Sequence, residues 1–431
     1  MVLENPPLFS ERKEFWIVSG LLAAILLLRL FLLYGDYCDF LAKPFYYTDA
    51  TVLSQHSKKK RGRSYEVLKL QSSEGKYFYT TTHLSQDLSQ KVIRVKMLPD
   101  DRITFVDYLG TPYIKTSLRI AGDLSGTQKH KLLTQIASQH QDPEIAAFYQ
   151  AIFLATPIPK TLREKISGLG VSHLVALSGF HLTILWGLIY GILSLVYRPM
   201  QQRWFPYRFM LLDLGAVTLG VLGAYLCFVG MPPSLLRSYV MLSVAWILLL
   251  LGVELLSFEF LAFVIILLLA LFPQLVVSLS FWFSVAGVYY IYLVLHWSMQ
   301  SEYFWSKKWV ISLFSIPVGI FLLMQPIVHG FFGTVSEWQL LTPLLSLLFV
   351  PFYPLAIGLH LIGMGGLFDS GLEQLFALPS EYWEHRLPLW AVALYGLLSL
   401  GAMRSRIVLG ATLAAALLYL AYLLVFVKDI A

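Results

Sequence analysis

The sequence predicts a polytopic α-helical membrane protein with an N-terminal extramembrane β domain. Three observations carry that prediction. Hydrophobic residues make up 57% of the 431 residues and charged residues only 13%, with a mean hydropathy of +0.66; soluble domains carry about 25% charged residues. Apolar runs of about 20 residues, the length that crosses a bilayer as a helix, recur from residue 171 to residue 427. Between the first apolar run and these lies one polar block, residues 36–145, with 16 Lys/Arg against 12 Asp/Glu. The 24 Tyr and 11 Trp suit aromatic belts at the membrane–water boundary.

The first apolar run, residues 15–34, is too long for the core of a cleaved signal and is followed by no small-residue cleavage site. Residues 1–35 are therefore read as an uncleaved anchor, with Arg29 turned to the bundle or reaching the interface. Residues 36–121 change rhythm. Short β-branched and aromatic stretches recur at 45–53, 64–71, 76–82, 91–97, 102–108 and 112–115. Turn chemistry separates them, as in Arg61-Gly62-Arg63, Ser73-Glu74-Gly75, Pro99-Asp100-Asp101 and Gly110-Thr111-Pro112. So many short strands in so small a region predict a compact barrel of the OB-fold type.

Residues 122–168 read as an amphipathic helical linker. Asp142-Pro143 is a helix start, with Asp as cap and Pro at the first helical position. Thr161-Leu-Arg-Glu164 has the spacing of a capping box, and Gly168 and Gly170 supply a stop. Residues 169–431 form the transmembrane domain, with spans at 171–196, 208–228, 234–253, 258–272, 275–295, 309–328, 339–364, 388–402 and 407–427. With the anchor these make ten membrane segments. Pro232-Pro233, Pro273, Pro317, Pro343, Pro351 and Pro354 interrupt them, and broken helices persist in lipid only where the freed backbone meets protein or water. Small residues recurring at four-residue spacing, among Gly179, Gly187 and Gly191 on one helix and Ala216, Gly220, Gly223 and Ala224 on the next, predict close helix packing.

Orientation follows from the basic loops. Arg198, Arg203 and Arg208, then Lys307 and Lys308, fall on one side, and taking that side as cytoplasmic puts residues 36–145 outside. Arg404, Arg406 and the acidic loop with Asp369, Glu373, Glu381 and Glu384 break the rule. A re-entrant hairpin at Pro351-Phe-Tyr-Pro354 would restore it. Cys38 and Cys227 exclude a disulfide framework and a cysteine-rich metal site. Both count to the outer surface, which leaves room for one bridge in an oxidising compartment. No cofactor or metal is expected.

Two groups of residues point to chemistry. Lys58, Lys59, Lys60, Arg61 and Arg63 sit between the first two predicted strands, where positive charge neutralises phosphates. Nearby Tyr65, Tyr77 and Tyr79 (with Phe78 and Tyr113) offer rings on which bases stack. The alternative is a solvated basic loop attracted to anionic lipid. The second group opens the span after Gly170: His173, Ser178 and His181 lie at spacings that put all three on one broad face of one helix. Polar groups entering hydrocarbon need protein or water partners. They serve as a wet constriction, as hydrogen-bonded packing between helices, or as a Ser/His hydrolytic pair. No acidic third member follows at useful spacing, and nothing resembles a nucleophile elbow. Arg237 begins a span just after Pro232-Pro233, where it either snorkels or faces a watery route.

The run Ser172-His-Leu-Val-Ala-Leu-Ser-Gly-Phe-His181 resembles the signature of the ComEC competence family, the inner-membrane channels through which single-stranded DNA enters bacteria during natural transformation. Gly230-Met-Pro-Pro-Ser234-Leu-Leu-Arg237 resembles a second element of that family. Pro273-Gln-Leu-Val-Val-Ser278-Leu-Ser280-Phe-Trp-Phe-Ser284 resembles a third, and Leu341-Thr-Pro343 a degraded fourth. The resemblance covers residues 160–355. It implies a multi-pass protein of the bacterial inner membrane with an external OB-like domain. It implies single-stranded DNA as cargo, with His173, Ser178, His181, Arg237 and Ser280 beside the route. A periplasmic DNA receptor, a separate nuclease, a cytoplasmic helicase or motor, membrane lipid and a second copy of the chain are the partners that follow. Many members carry a metallo-β-lactamase-like domain whose His-x-His-x-Asp-His signature is absent from these residues, and no Walker A motif is present. No enzymatic activity is expected. The competing functions are a membrane-embedded Ser/His hydrolase and a small-molecule or lipid transporter. The transporter would show an inverted repeat, and none is evident.

Overall fold

The computed structural model describes residues 8–9, 11–60, 63–83, 86, 88, 91–123, 128–252, 257–299, 308–378 and 381–427. The chain divides into two compact units. One comprises Phe9–Gln135 with Ala262–Leu279, and the other centres on Ile136–Leu261 and Ser280–Ala431.

In the first unit a long helix, α1 (Arg12–Ala42), leads into strands β1 (Tyr46–Lys60), β2 (Arg63–Ser72), β3 (Tyr77–Thr82) and β4 (Lys91–Leu98). A short helix, α2 (Phe105–Leu109), precedes β5 (Lys115–Asp123). The strands form one antiparallel sheet of order β3-β2-β1-β4-β5. Near the chain ahead of β5, a parallel bridge between Tyr79 and Tyr113 draws the two edges together. The sheet is thus a curled half-barrel, as an OB-like fold requires. Alternation explains the curl's inside: Leu68, Leu70, Ile93 and Val95 are all at 0% exposure, each contributing about 1.5–3 kcal/mol on burial. A register shift between Val52 and Ser54 bends β1. Gly75, at φ +81, closes the turn between β2 and β3.

Two strand expectations fail. Residues 102–108 hold the helix α2, because Thr104 and Asp107 cap one another's backbone as a capping box. The last strand is not residues 112–115 but Lys115–Asp123, running into what was expected to be helix. Arg29, inside α1, donates to the carbonyls of Ala270 (3.1 Å) and Leu271. These are the last carbonyls of a later helix in the same unit, where a cation also suits the dipole. Cys38 and Cys227 are both free thiols.

Helix α3 (Gln128–Ala137) leads to the second unit, built from α4 (Pro143–Leu154), α5 (Lys160–Gly168), α6 (Ser172–Val175), α7 (Gly179–Trp204), α8 (Met210–Val229), α9 (Pro233–Leu250), α10 (Phe258–Leu271), α11 (Leu279–Met299), α12 (Lys308–Phe331), α13 (Thr342–Leu361), α14 (Asp369–Ala377), α15 (Leu389–Gly401) and α16 (Arg406–Tyr422). Helix α10 is shared between the units. A two-stranded ladder joins β6 (Thr334–Val335) to β7 (Trp383–Glu384). Among the described residues seven helices are long and apolar enough to cross a membrane, and α9, α10 and α15 are shorter apolar helices.

The Asp142-Pro143 start is present, with the Asp142 carboxylate accepting from the Glu144 amide at 2.7 Å. The box expected at Thr161 is not formed. Helix α5 begins two residues earlier, at Lys160 behind Pro159, and Thr161 instead donates to Glu144 at 2.6 Å. The re-entrant hairpin is overturned too: α13 runs unbroken through Pro351 and Pro354. Of the small residues expected at close contacts, Gly187, Gly191 and Gly220 have open space where a Cβ would stand. Gly179 and Gly223 do meet neighbours, at Ser238 and Tyr239.

Candidate functional site

On the β unit the register sets one outer face. Lys58 pairs with Tyr65, His56 with Val67, and Ser54 with Lys69 across β1 and β2; Lys69 then pairs with Tyr79 and Gln71 with Tyr77 across β2 and β3. Since Leu68, Leu70, Phe78 and Thr80 point inward, the alternate residues Tyr65, Lys69, Tyr77 and Tyr79 point outward. Lys69 lies over both rings, its Nζ 5.7 Å from the Tyr77 centroid and 5.9 Å from that of Tyr79. Burial against them holds its pKa below the usual lysine value, and burial raises that of Tyr77. Tyr113 extends the row by its hydroxyl contact with Thr81, 2.8 Å.

Lys58 is exposed at one end of this row. Lys59 and Lys60 belong to β1, opposite Ser64 and Arg63 of β2. The expected loop is therefore mostly strand, and Arg61 lies outside the described residues. Lys69 was not among the residues singled out from the sequence. Its strand alternation with Leu68 and Leu70 was the signal that could have found it.

In the helical unit the signature residues do not share one helix. His173 is on the single turn α6, Ala176 is extended (φ −68, ψ 118), and Ser178 is the extended cap of α7. The helix restarts because the His181 Nδ1 accepts the Ser178 backbone N–H at 3.4 Å, satisfying one of the amides a helix start leaves orphaned. The Ser178 Oγ and His181 Nδ1 are also 3.4 Å apart. That contact belongs to a cap, and no carboxylate orients the ring, so it lacks the geometry of a nucleophile and its base.

His181 is fully buried. Its ring meets the edges of Phe349 (5.1 Å) and Tyr353 (4.9 Å), and its Nε2 has no partner. His173 differs: it is exposed. Its Nε2 is 3.3 Å from the Ser346 hydroxyl of α13. The chain entering α6 is held by α13 as well, where Thr342 donates to the Leu169 carbonyl at 3.0 Å. Gly170 adopts φ +70, and a Cβ there would stand 2.5 Å from the Thr342 hydroxyl. Only glycine fits.

Helix α9 joins the two groups. Ser234 donates to the Leu177 carbonyl at 2.8 Å, and Ser238 stands against Gly179. Arg237, between them in sequence, reaches α11 instead, with Nη1 3.4 Å from the Ser280 hydroxyl and Nη2 3.3 Å from its carbonyl. Its guanidinium lies 5.7 Å from the Phe281 ring centroid. Arg237 is 6% exposed, its Nε has no partner, and among the described residues no carboxylate forms an ion pair with it. A buried cation without a counter-charge is expensive, and its donors suit an anion.

A further polar cluster escaped the sequence reading. His140, just before α4, lies 3.0 Å from both carboxylate oxygens of Asp369 and 3.0 Å from the Nε2 of His360. These three residues are 220 or more positions apart in part, and no local pattern joins them.

The family model described as "Competence protein" matches residues 155–429. The uncharacterized protein YcaI of Escherichia coli (strain K12) is 28% identical over 215 residues, which are 48% of this chain and 28% of that protein. The chain thus spans well under half the length of this curated relative. No solved structure matches.

Proposed function

Because the chain belongs to the competence protein family, we propose that it acts in DNA uptake, passing a single strand through the bacterial inner membrane. One observation carries the reading: Arg237, buried against Ser280 and Phe281 with an unpartnered Nε. A phosphate supplies both the charge and the acceptors that this side chain lacks. In this reading Ser280 and Arg237 stand beside the route, His173 opens onto it, and the Ser178–His181 cap fixes where α7 begins.

The β unit, on the extracytoplasmic side, gathers the strand. Strands 2 and 3 and the loop between strands 1 and 2 are the usual binding rim of an OB-fold. Here they present Tyr65, Tyr77 and Tyr79 with Lys58 and Lys69, and in the sequence Lys59, Lys60, Arg61 and Arg63 add positive charge that suits phosphates. Bases stack on such rings without regard to sequence. A receptor that hands over DNA, a nuclease that removes the other strand and a cytoplasmic motor complete the scheme, with self-association of the channel.

The test separates capture from passage. Cells lacking this gene, complemented with the wild-type chain or with Arg237→Met, are given labelled DNA. Wild-type complementation should restore internalised DNA. The variant should leave surface-bound DNA at the wild-type level and internalise little. Full internalisation in the variant, or in the uncomplemented deletion, refutes the reading.

A further inference from the structure

We infer that His140, His360 and Asp369 form a proton-binding site holding one proton more than two neutral imidazoles beside a carboxylate would carry. This rests on the geometry of the helical unit alone and stands apart from the transport reading.

Three hydrogen bonds run in series. The His360 Nδ1 is 2.7 Å from the Ala356 carbonyl oxygen; a carbonyl only accepts, so this nitrogen bears hydrogen. The His140 Nδ1 is 3.0 Å from each oxygen of Asp369, and one proton lies between them. That leaves the two Nε2 atoms facing each other at 3.0 Å. Without a proton between them two lone pairs would be opposed in a buried site, which a low-dielectric interior penalises strongly. The row therefore contains three protons, where two neutral rings and a carboxylate supply two. Placed on His140, the additional proton makes an imidazolium whose charge Asp369 balances, so the triad is neutral overall.

The surroundings fit that state. The His140 side chain has no exposed surface and that of Asp369 has 17%. The Tyr149 ring stacks on His140 at 4.6 Å with an interplanar angle of 10°, presenting its electron-rich face to the cationic ring. Burial first, and the Asp369 charge second, raise the Tyr149 pKa and keep it neutral. The other charged groups at the start of α4 are engaged elsewhere: Asp142 with the Glu144 amide, and Glu144 with Lys165 at 2.6 Å. Among the described residues no group of three or more His, Cys, Asp or Glu is placed to hold a metal ion.

The bound proton fastens three segments. Gln139 donates to the His360 carbonyl (3.2 Å) and accepts from the Gly365 amide (2.9 Å). A Cβ at Gly365 would come within 2.6 Å of Gln139 Oε1 and 2.7 Å of His360 Nε2. The chain ahead of α4, the end of α13 and the start of α14 thus meet over the shared proton. When rising pH removes it, the opposed nitrogens part and the three segments lose their common bond.

The test uses the full chain in lipid vesicles with ¹⁵N-labelled histidine. At neutral pH the spectrum of the wild type minus that of Asp369→Asn should contain a ring protonated at both nitrogens. Raising the pH until that signal disappears should speed hydrogen exchange at the amides of residues 365–369 about tenfold beyond its intrinsic pH dependence, the loss of one charge-assisted hydrogen bond. A difference spectrum holding only neutral rings overturns the proposal. So does exchange that keeps its intrinsic dependence while the cationic signal vanishes. Should Asp369→Asn fail to insert, the difference between wild type and His140→Phe, which deletes the ring itself, answers the same question.

Discussion

Replacing Arg237 by methionine should leave stability nearly untouched while abolishing most DNA entry. Removing the guanidinium relieves one buried, unpartnered N–H, worth about 1–3 kcal/mol. It also removes two long bonds to Ser280, at 3.4 and 3.3 Å, each at the low end of about 0.5–1.5 kcal/mol. The stacking on Phe281 contributes a further ~0.5–2 kcal/mol. These offset, so the change should lie within about 2 kcal/mol of zero; an arginine in a buried ion pair would instead cost about 3–5 kcal/mol on removal. Entry should fall by about 10- to 100-fold, the worth of one charge-assisted bond to a phosphate. Arg237→Lys keeps the charge and loses the planar fork, and should fall between. Thermal unfolding of the purified chain and transformation frequency in complemented cells are the two assays. A stability loss above about 3 kcal/mol with unchanged entry would make Arg237 a structural residue and refute the reasoning.

Serine at Lys58, Lys59, Lys60 and Arg61 should flatten the salt dependence of single-stranded DNA binding by about 0.7 per lost phosphate contact, up to about 2.8 in the logarithmic slope. Fluorescence anisotropy across a salt series measures it, and an unchanged slope removes the hairpin from binding. Gly170→Ala should destabilise the helical unit by about 1–3 kcal/mol, since it adds both an unfavourable φ and a clash with Thr342. Thermal unfolding reads this, and adding Thr342→Ala should recover only the part due to the clash. Glu144 has a pKa held below the usual glutamate value, first by the Lys165 hydrogen bond and then by that of Thr161. A depressed folded-state pKa means stabilisation fully present above the ordinary glutamate value and lost as pH falls from there through the lowered folded-state value. Glu144→Gln should remove that acid-side loss, seen in unfolding temperatures measured down the acid limb.

Local features were legible in the sequence to the extent that their causes are local. The Asp142 cap, the stop at Gly168–Gly170 and four of the five strands follow from neighbours within a few positions, and the structure keeps them. Residues 102–108 misled because their apolar alternation is also compatible with a short helix, and the Thr104–Asp107 box decided between the two. Pro351 and Pro354 look like a break in sequence, yet α13 continues through both, since neighbouring helices can hold a proline-containing helix together. The spacing from His173 to His181 predicts one helical face. A cap at Ser178 divides it, leaving His173 open and His181 enclosed by Phe349 and Tyr353.

The sequence by itself determined that this chain enters lipid, that a basic β domain precedes its bundle, and to which family the motifs point. Those properties are sums over composition, period and short spacing, which the chain carries before it folds. Only the tertiary structure decided that Arg237 meets Ser280 and no carboxylate among the described residues, that Lys69 lies across two tyrosine rings, and that His140 meets His360 and Asp369. Each depends on which distant segments pack together, and burial then makes a missing or shared partner count, because water no longer substitutes for it.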